Sequence, residues 1–219
     1  MATAFGRAKK VLEQLEKLDG AQADVLIDGG YIAAVREAQQ TGTLPGKEEF
    51  RRLLSLDKRL RLTESVELPA RATTFRADAY FKTGEGLYVW GGFTSRVVSA
   101  SADECVLTTS ATKLASFDLL KNTVDEHIRA ELPADHVFGD LSVFCSHLAG
   151  MLDRQIGGTE GPLLNNSYAN IFYVQGASGV VAVHVYWDAD DREWSVDAYE
   201  LGDFAWSAGG RAFSAAAVA

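Results

Sequence analysis

The sequence predicts an α+β fold, with helices packed on an antiparallel sheet of hairpins and meander, and three observations carry that prediction. Apolar residues recur at helical spacing through the first sixty positions. After Pro69 the period changes from 3.6 to 2. Three β-rich runs separated by short polar connections then fill the last third, an order that favours segregated helices and strands over alternating ones. The expected organisation is one domain over residues 1–219, with a helical part at 1–68, a first β region at 71–111, a helix pair at 116–157 and β hairpins at 168–213.

In the helical part, Phe5, Ala8, Leu12, Leu15 and Leu18 share one face, while Lys9, Lys10, Glu13, Glu16 and Lys17 occupy the other. A second helix is predicted from Val25 to Gln40 and stops at Gly42. A third covers Glu48 to Leu56, following the turn signal Leu44-Pro45-Gly46. In the first β region, Phe75, Ala77, Ala79 and Phe81 alternate with Thr74, Arg76, Asp78 and Tyr80, which predicts a strand with one buried face. Gly84-Glu85-Gly86 would then turn the chain into a strand from Leu87 to Phe93, with Gly91-Gly92 marking a bulge or bend. A third strand is expected from Cys105 to Ala111.

Ser116 stands where an N-cap would, ahead of Phe117, Leu120, Val124 and Ile128 at helical spacing. The second helix of the pair starts near Asp140, carries Leu141, Phe144, Cys145, Leu148, Leu152 and Ile156, and ends at Gly157-Gly158. The final hairpins comprise Ala169 to Gln175, Val180 to Trp187 and Glu193 to Leu201. Their alternation sets Val181, Val183, Val185 and Trp187 on one face and Ala182, His184 and Tyr186 on the other.

Hydrophobic residues make up 47% of the chain and charged residues 23%, enough apolar content to bury a core. The formal charge of −9 repels phosphate backbones, so nucleic acid is not an expected partner. No apolar run has the length of a signal peptide or a membrane span, so the expectation is a soluble, cytoplasmic protein away from membranes. Cys105 and Cys145 are too few for a disulfide scaffold and lack CxxC spacing, and reduced thiols are expected. The motifs GxGxxG, GxxxxGK[ST], HExxH and GxSxG are absent.

The densest reactive set is Asp135, His136, Asp140, Cys145 and His147. Residues two apart on a helix diverge by about 200°, so Cys145 and His147 cannot pair there. Cys145 is predicted to lie in the core and His147 at the surface. His127 and Glu131 have i, i+4 spacing that could start a metal site, although an exposed acidic helix end accounts for them too. Asp188, Asp190, Asp191 and Glu193 fit a hairpin turn better than a calcium loop, which makes Trp187 and Trp194 cross-strand neighbours. No metal or cofactor is expected.

The favoured binding residues are His184, Tyr186, Asp197 and Tyr199, together with Trp187 and Trp194. They would form either an exposed polar-aromatic surface or a second buried layer. The expected function is non-catalytic protein binding or assembly, including self-association, through an acidic, aromatic-rich sheet surface. The alternative is a small-molecule enzyme with an acid-base pocket between sheet and helices, using His136, His147 or His184 with Asp140 or Asp197 as orienter.

Overall fold

The computed structural model describes residues 58–63, 65–68, 71–101, 105–109 and 112–215. The three helices expected before residue 57 lie outside them. Arg59–Ala219 form a compact unit. In chain order the described elements are β1 (Leu60–Leu62), β2 (Val66–Leu68), β3 (Arg71–Phe75), α1 (Ala77–Tyr80), β4 (Leu87–Val89), α2 (Gly91–Arg96), β5 (Cys105–Thr109) and β6 (Thr112–Leu119). They continue with β7 (Thr123–Val124), α3 (Asp125–Glu131), α4 (Leu141–Asp153), β8 (Asn170–Gly176), β9 (Gly179–Asp188), β10 (Glu193–Glu200), β11 (Ala205–Trp206) and β12 (Arg211–Ser214).

One eight-stranded sheet organises the unit, in the order β1-β6-β12-β8-β9-β10-β4, with β2 also paired to β6. Most neighbours are antiparallel, whereas β12 runs parallel to β8 and β4 parallel to β10. Strands from the two β regions anticipated in the sequence therefore share one sheet. The final hairpins take the expected register: Trp194 faces Trp187 and Asp197 faces His184 on β9 and β10. Asp188 caps the intervening turn by accepting from the Asp190 and Asp191 amides at 3.0 and 3.2 Å.

Three local expectations are corrected. Strand structure ends at Phe75, and Ala77–Tyr80 is a helical turn, because Ala77 and Phe81 at i, i+4 both bury into one core. Phe81 packs edge-on against Phe93 at 5.0 Å. Gly91-Gly92 does not bend a strand but opens α2, and β4 is only three residues long. Gly92 is required because a Cβ there would strike Asp197 Oδ1 and come within 2.6 Å of the Ala198 carbonyl. In place of the anticipated meander, β3 and β5 form a separate two-stranded ribbon.

The first helix of the central pair is the largest correction. Thr112–Leu119 is a strand inside the sheet, and helix is confined to Asp125–Glu131. Leu114 buries in one core, while Ala115, Phe117 and Leu119 bury in the other, so the strand lacks the alternation of a half-exposed one. Ser116 does not cap a helix; its hydroxyl lies 2.6 Å from that of Thr63. Leu120, which a helix would have buried, is 44% exposed. The second helix spans Leu141–Asp153 and is capped by Asp140, whose side chain accepts from the Val143 amide at 3.0 Å.

Apolar side chains fill both faces of the sheet. On one, α1, α2 and α4 cover Phe172, Val174, Val183, Val185, Trp194 and Val196, with Phe172 and Phe213 stacked at 4.5 Å. On the other, Ile128, Leu132 and Trp206 cover Ile171, Tyr173, Ala182 and Ala212. Each such large side chain stabilises the fold by about 1.5–3 kcal/mol when fully buried. Among the described residues, no helix is long and apolar enough to cross a membrane.

Candidate functional site

Among the described residues, nothing covers the second face to its end. Its uncovered part is built by β9, β10 and the edge strand β4, whose residues pair in register: Tyr186 faces Ser195, and Ser195 faces Tyr88. Facing residues share a side of a sheet, so this pairing gathers side chains separated by about a hundred positions in sequence. Trp90 follows β4 and donates its indole N–H to the Ser195 hydroxyl at 2.8 Å. Its ring meets Tyr88 edge-on at 5.0 Å, and both rings are open to solvent, 44% and 37% exposed.

His184 stands next along β9. Its ring stacks on Tyr186 at 4.9 Å and meets Trp206 edge-on at 5.4 Å. Tyr199 and Phe204 lie beside it at 6.2 and 5.8 Å and stack on each other at 5.1 Å. Burial among these rings disfavours the imidazolium and lowers the His184 pKa to about 4. His184 Nδ1 is buried and has no hydrogen-bond partner. Burial, then the charge and hydrogen bond of Asp197, push the Tyr199 phenol up to about 12. The Asp197 carboxylate also accepts from the Ala198 amide at 2.8 Å.

Under this surface sits a buried carboxylate. Asp125 opens α3 and accepts from the Tyr173 hydroxyl at 2.9 Å, the Trp206 indole at 2.7 Å and the Gly202 amide at 2.9 Å. Those three bonds tie α3, β8 and the segment carrying Phe204 and Trp206 into one support. Burial, and after it the Asp125 charge, push the Tyr173 phenol far above its usual range. Arg129 adds a cation 5.7 Å from the Tyr173 ring.

The structure thus brings together His184, Tyr186, Asp197 and Tyr199. Trp187 and Trp194 do not belong with them: their rings meet at 5.4 Å on the opposite face, only 7% and 2% exposed. The alternation that separates Val183 from His184 also separates Trp187 from Tyr186. Tyr88, Trp90, Ser195, Phe204 and Trp206 were not foreseen as members. The alternation of Tyr88 with Trp90 was visible in sequence, but their parallel pairing with β10 is non-local.

The remaining candidates lie elsewhere. His147, expected at the surface, is buried on α4, as is Cys145. His136 is buried; its Nε2 accepts from Arg129 Nε at 3.2 Å and its Nδ1 lies 2.6 Å from the Pro133 carbonyl. His127 is exposed, while the Glu131 carboxylate accepts the Arg59 and Leu60 amides at 2.9 and 3.1 Å. Among the described residues, no three His, Cys, Asp or Glu side chains converge to hold a metal ion. Comparison of the chain with protein-family models, curated proteins and solved structures gives no match.

Proposed function

We propose that this protein is a non-catalytic binding module whose aromatic sheet face receives a Lys/Arg-rich segment of a partner protein. The observation that supports this reading is the juxtaposition of the exposed Tyr88 and Trp90 rings with Asp197 on a strongly acidic stretch. Residues 188–203 contain seven carboxylates, Asp188, Asp190, Asp191, Glu193, Asp197, Glu200 and Asp203, against one cation, Arg192. Aromatic faces attract ammonium and guanidinium groups by about 0.5–2 kcal/mol each, and the surrounding negative charge steers a basic partner to them. At low salt the net charge of −9 adds a long-range attraction for the same partner.

The test is titration with a Lys/Arg-rich peptide, followed by calorimetry in every variant and also through tryptophan fluorescence in the unaltered chain. Trp187, Trp194 and Trp206 are buried, so Trp90 is the responsive residue. The expected result is binding that weakens as salt rises, is lost in Trp90→Ala, and falls about tenfold in Asp197→Asn. Binding indifferent to salt or to both variants overturns the reading, as does exclusive self-association through this face.

One observation favours the enzymatic alternative: His184 faces Asp197 across adjacent strands, with an unpartnered Nδ1. Against it, a base held near 4 is poorly matched to proton transfer at neutral pH. Among the described residues, two clefts, one lined by Phe81 and Val89 and one by Ser116 and Arg211, contain no histidine.

A further inference from the structure

A second site lies elsewhere on the sheet, independent of the aromatic face. Thr63, Ser65, Glu67, Ser116, Arg154 and Arg211 line a cleft of about 360 Å³, within the range of small-ligand sites. We propose that it binds the phosphate group of a small phosphorylated molecule.

The argument rests on charge balance and preorganisation. Asp118 is shared by two guanidinium groups, Arg211 through Nε and Nη2 at 2.9 Å each and Arg61 through Nη2 at 3.2 Å. Glu67, the one carboxylate among the described lining residues, is engaged by Lys113 at 3.0 Å. Arg154 faces only carbonyls: its Nε donates to Gly150 at 3.0 Å and its Nη1 to Glu67 at 3.3 Å. Among the described lining residues two guanidinium groups, Arg154 and Arg211, stand against one carboxylate, Glu67, whose charge Lys113 offsets. The chain's net charge of −9 is screened beyond about 8 Å at physiological salt, so these nearby groups set what the cleft attracts.

Both arginines are held before any ligand arrives. Arg211, 21% exposed, is braced by Asp118 and reaches the Pro162 carbonyl at 3.5 Å. Unused guanidinium N–H groups remain on each, and such a planar fork matches phosphate oxygens in pairs. The wall at Gly161 and Pro162 is backed by Gln155, which is fully buried. Its side chain donates to the Thr159 and Leu163 carbonyls at 2.9 and 3.0 Å and accepts from the Leu163 amide at 2.8 Å. Gly161 packs directly on that side chain, where a Cβ would lie 2.6 Å from Gln155 Cδ. Ser65 adds an exposed hydroxyl at the rim. A fixed wall and two prearranged cations reduce the ordering cost of binding. The volume suits one phosphate with a small attached group and excludes a polynucleotide.

Amide chemical-shift mapping of the full chain tests this, using inorganic phosphate, O-phosphoserine and sodium chloride at matched ionic strength. The expected result is saturable shifts confined to residues near 63–67, 154–163 and 211 with phosphate and phosphoserine, and none with chloride. Arg154→Gln should weaken phosphate at least tenfold without moving the urea midpoint, because Arg154 is exposed and contacts only carbonyls. Arg211→Lys, which keeps the charge but loses the fork, should weaken it severalfold. Shifts equal to those of chloride, or an affinity unchanged in Arg154→Gln, overturn the site. A phosphoserine peptide that binds more tightly than free O-phosphoserine overturns the assignment to a small ligand.

Discussion

Acidification should destabilise the fold through His184 in a window set by its surroundings. In the unfolded chain this imidazole takes up its proton near 6.5, whereas the ring-lined pocket holds the folded group near 4. Above pH 6.5 both states carry the neutral ring and the full stability is present. Between 6.5 and 4 the unfolded state binds a proton that the folded state does not, and stability falls by about 1.36 kcal/mol per pH unit. Below pH 4 both states are protonated and the loss is complete, at about 3 kcal/mol in all. That is a large share of the roughly 5–15 kcal/mol typical of a domain. The perturbation that isolates the effect is His184→Phe, which keeps an aromatic ring against Tyr186 and Trp206 and removes the unpartnered Nδ1. Urea unfolding followed by circular dichroism from pH 8 to pH 4 gives the two stability curves. Their difference should be flat above pH 7 and change by about 3 kcal/mol between pH 6.5 and 4. A difference curve flat throughout would refute the burial of this imidazole.

Three further outcomes are expected. Asp125→Ala leaves the Tyr173 hydroxyl and the Trp206 indole buried without their acceptor, and should cost about 3–5 kcal/mol in urea unfolding at pH 7; Asp125→Asn, which keeps one acceptor oxygen, should cost less. Gly158 has φ +72°, and a Cβ there would come within 2.6 Å of the Trp187 ring, so Gly158→Ala should lower stability by about 2 kcal/mol, read as a reduced thermal midpoint. Acrylamide should quench a single class of tryptophan emission in the folded protein, and Trp90→Phe should abolish that class, since the other three indoles are at most 7% exposed.

The C-terminal hairpins were legible because their face alternation and turn chemistry are local: Val181, Val183 and Val185 against His184 and Tyr186, with an Asp-rich turn between. Helix α4 was legible for a similar reason, an N-cap aspartate followed by an apolar stripe. β6 was not, because a strand buried on both faces shows no period of 2, while Phe117, Leu120, Val124 and Ile128 happen to repeat at helical spacing. Of the candidate site, the cross-strand group of His184, Tyr186, Asp197 and Tyr199 followed from one hairpin register. Tyr88 and Trp90 join it only through parallel pairing with a strand about a hundred positions on, and the partners of Asp125 come from β8, the turn at Gly202 and β11. Neither arrangement leaves a local trace in the residue pattern.

The position of β12 also sets a constraint on biogenesis. Arg211–Ser214 sits between β6 and β8 and is the strand that joins the two halves of the sheet. While the chain is being synthesised, β8, β9 and β10 can zip together as hairpins, yet the flank of β6 facing them stays open until residue 214 leaves the ribosome. Until that moment two hydrogen-bonding edges are bare, and bare edges of this kind are templates for pairing with a neighbouring chain.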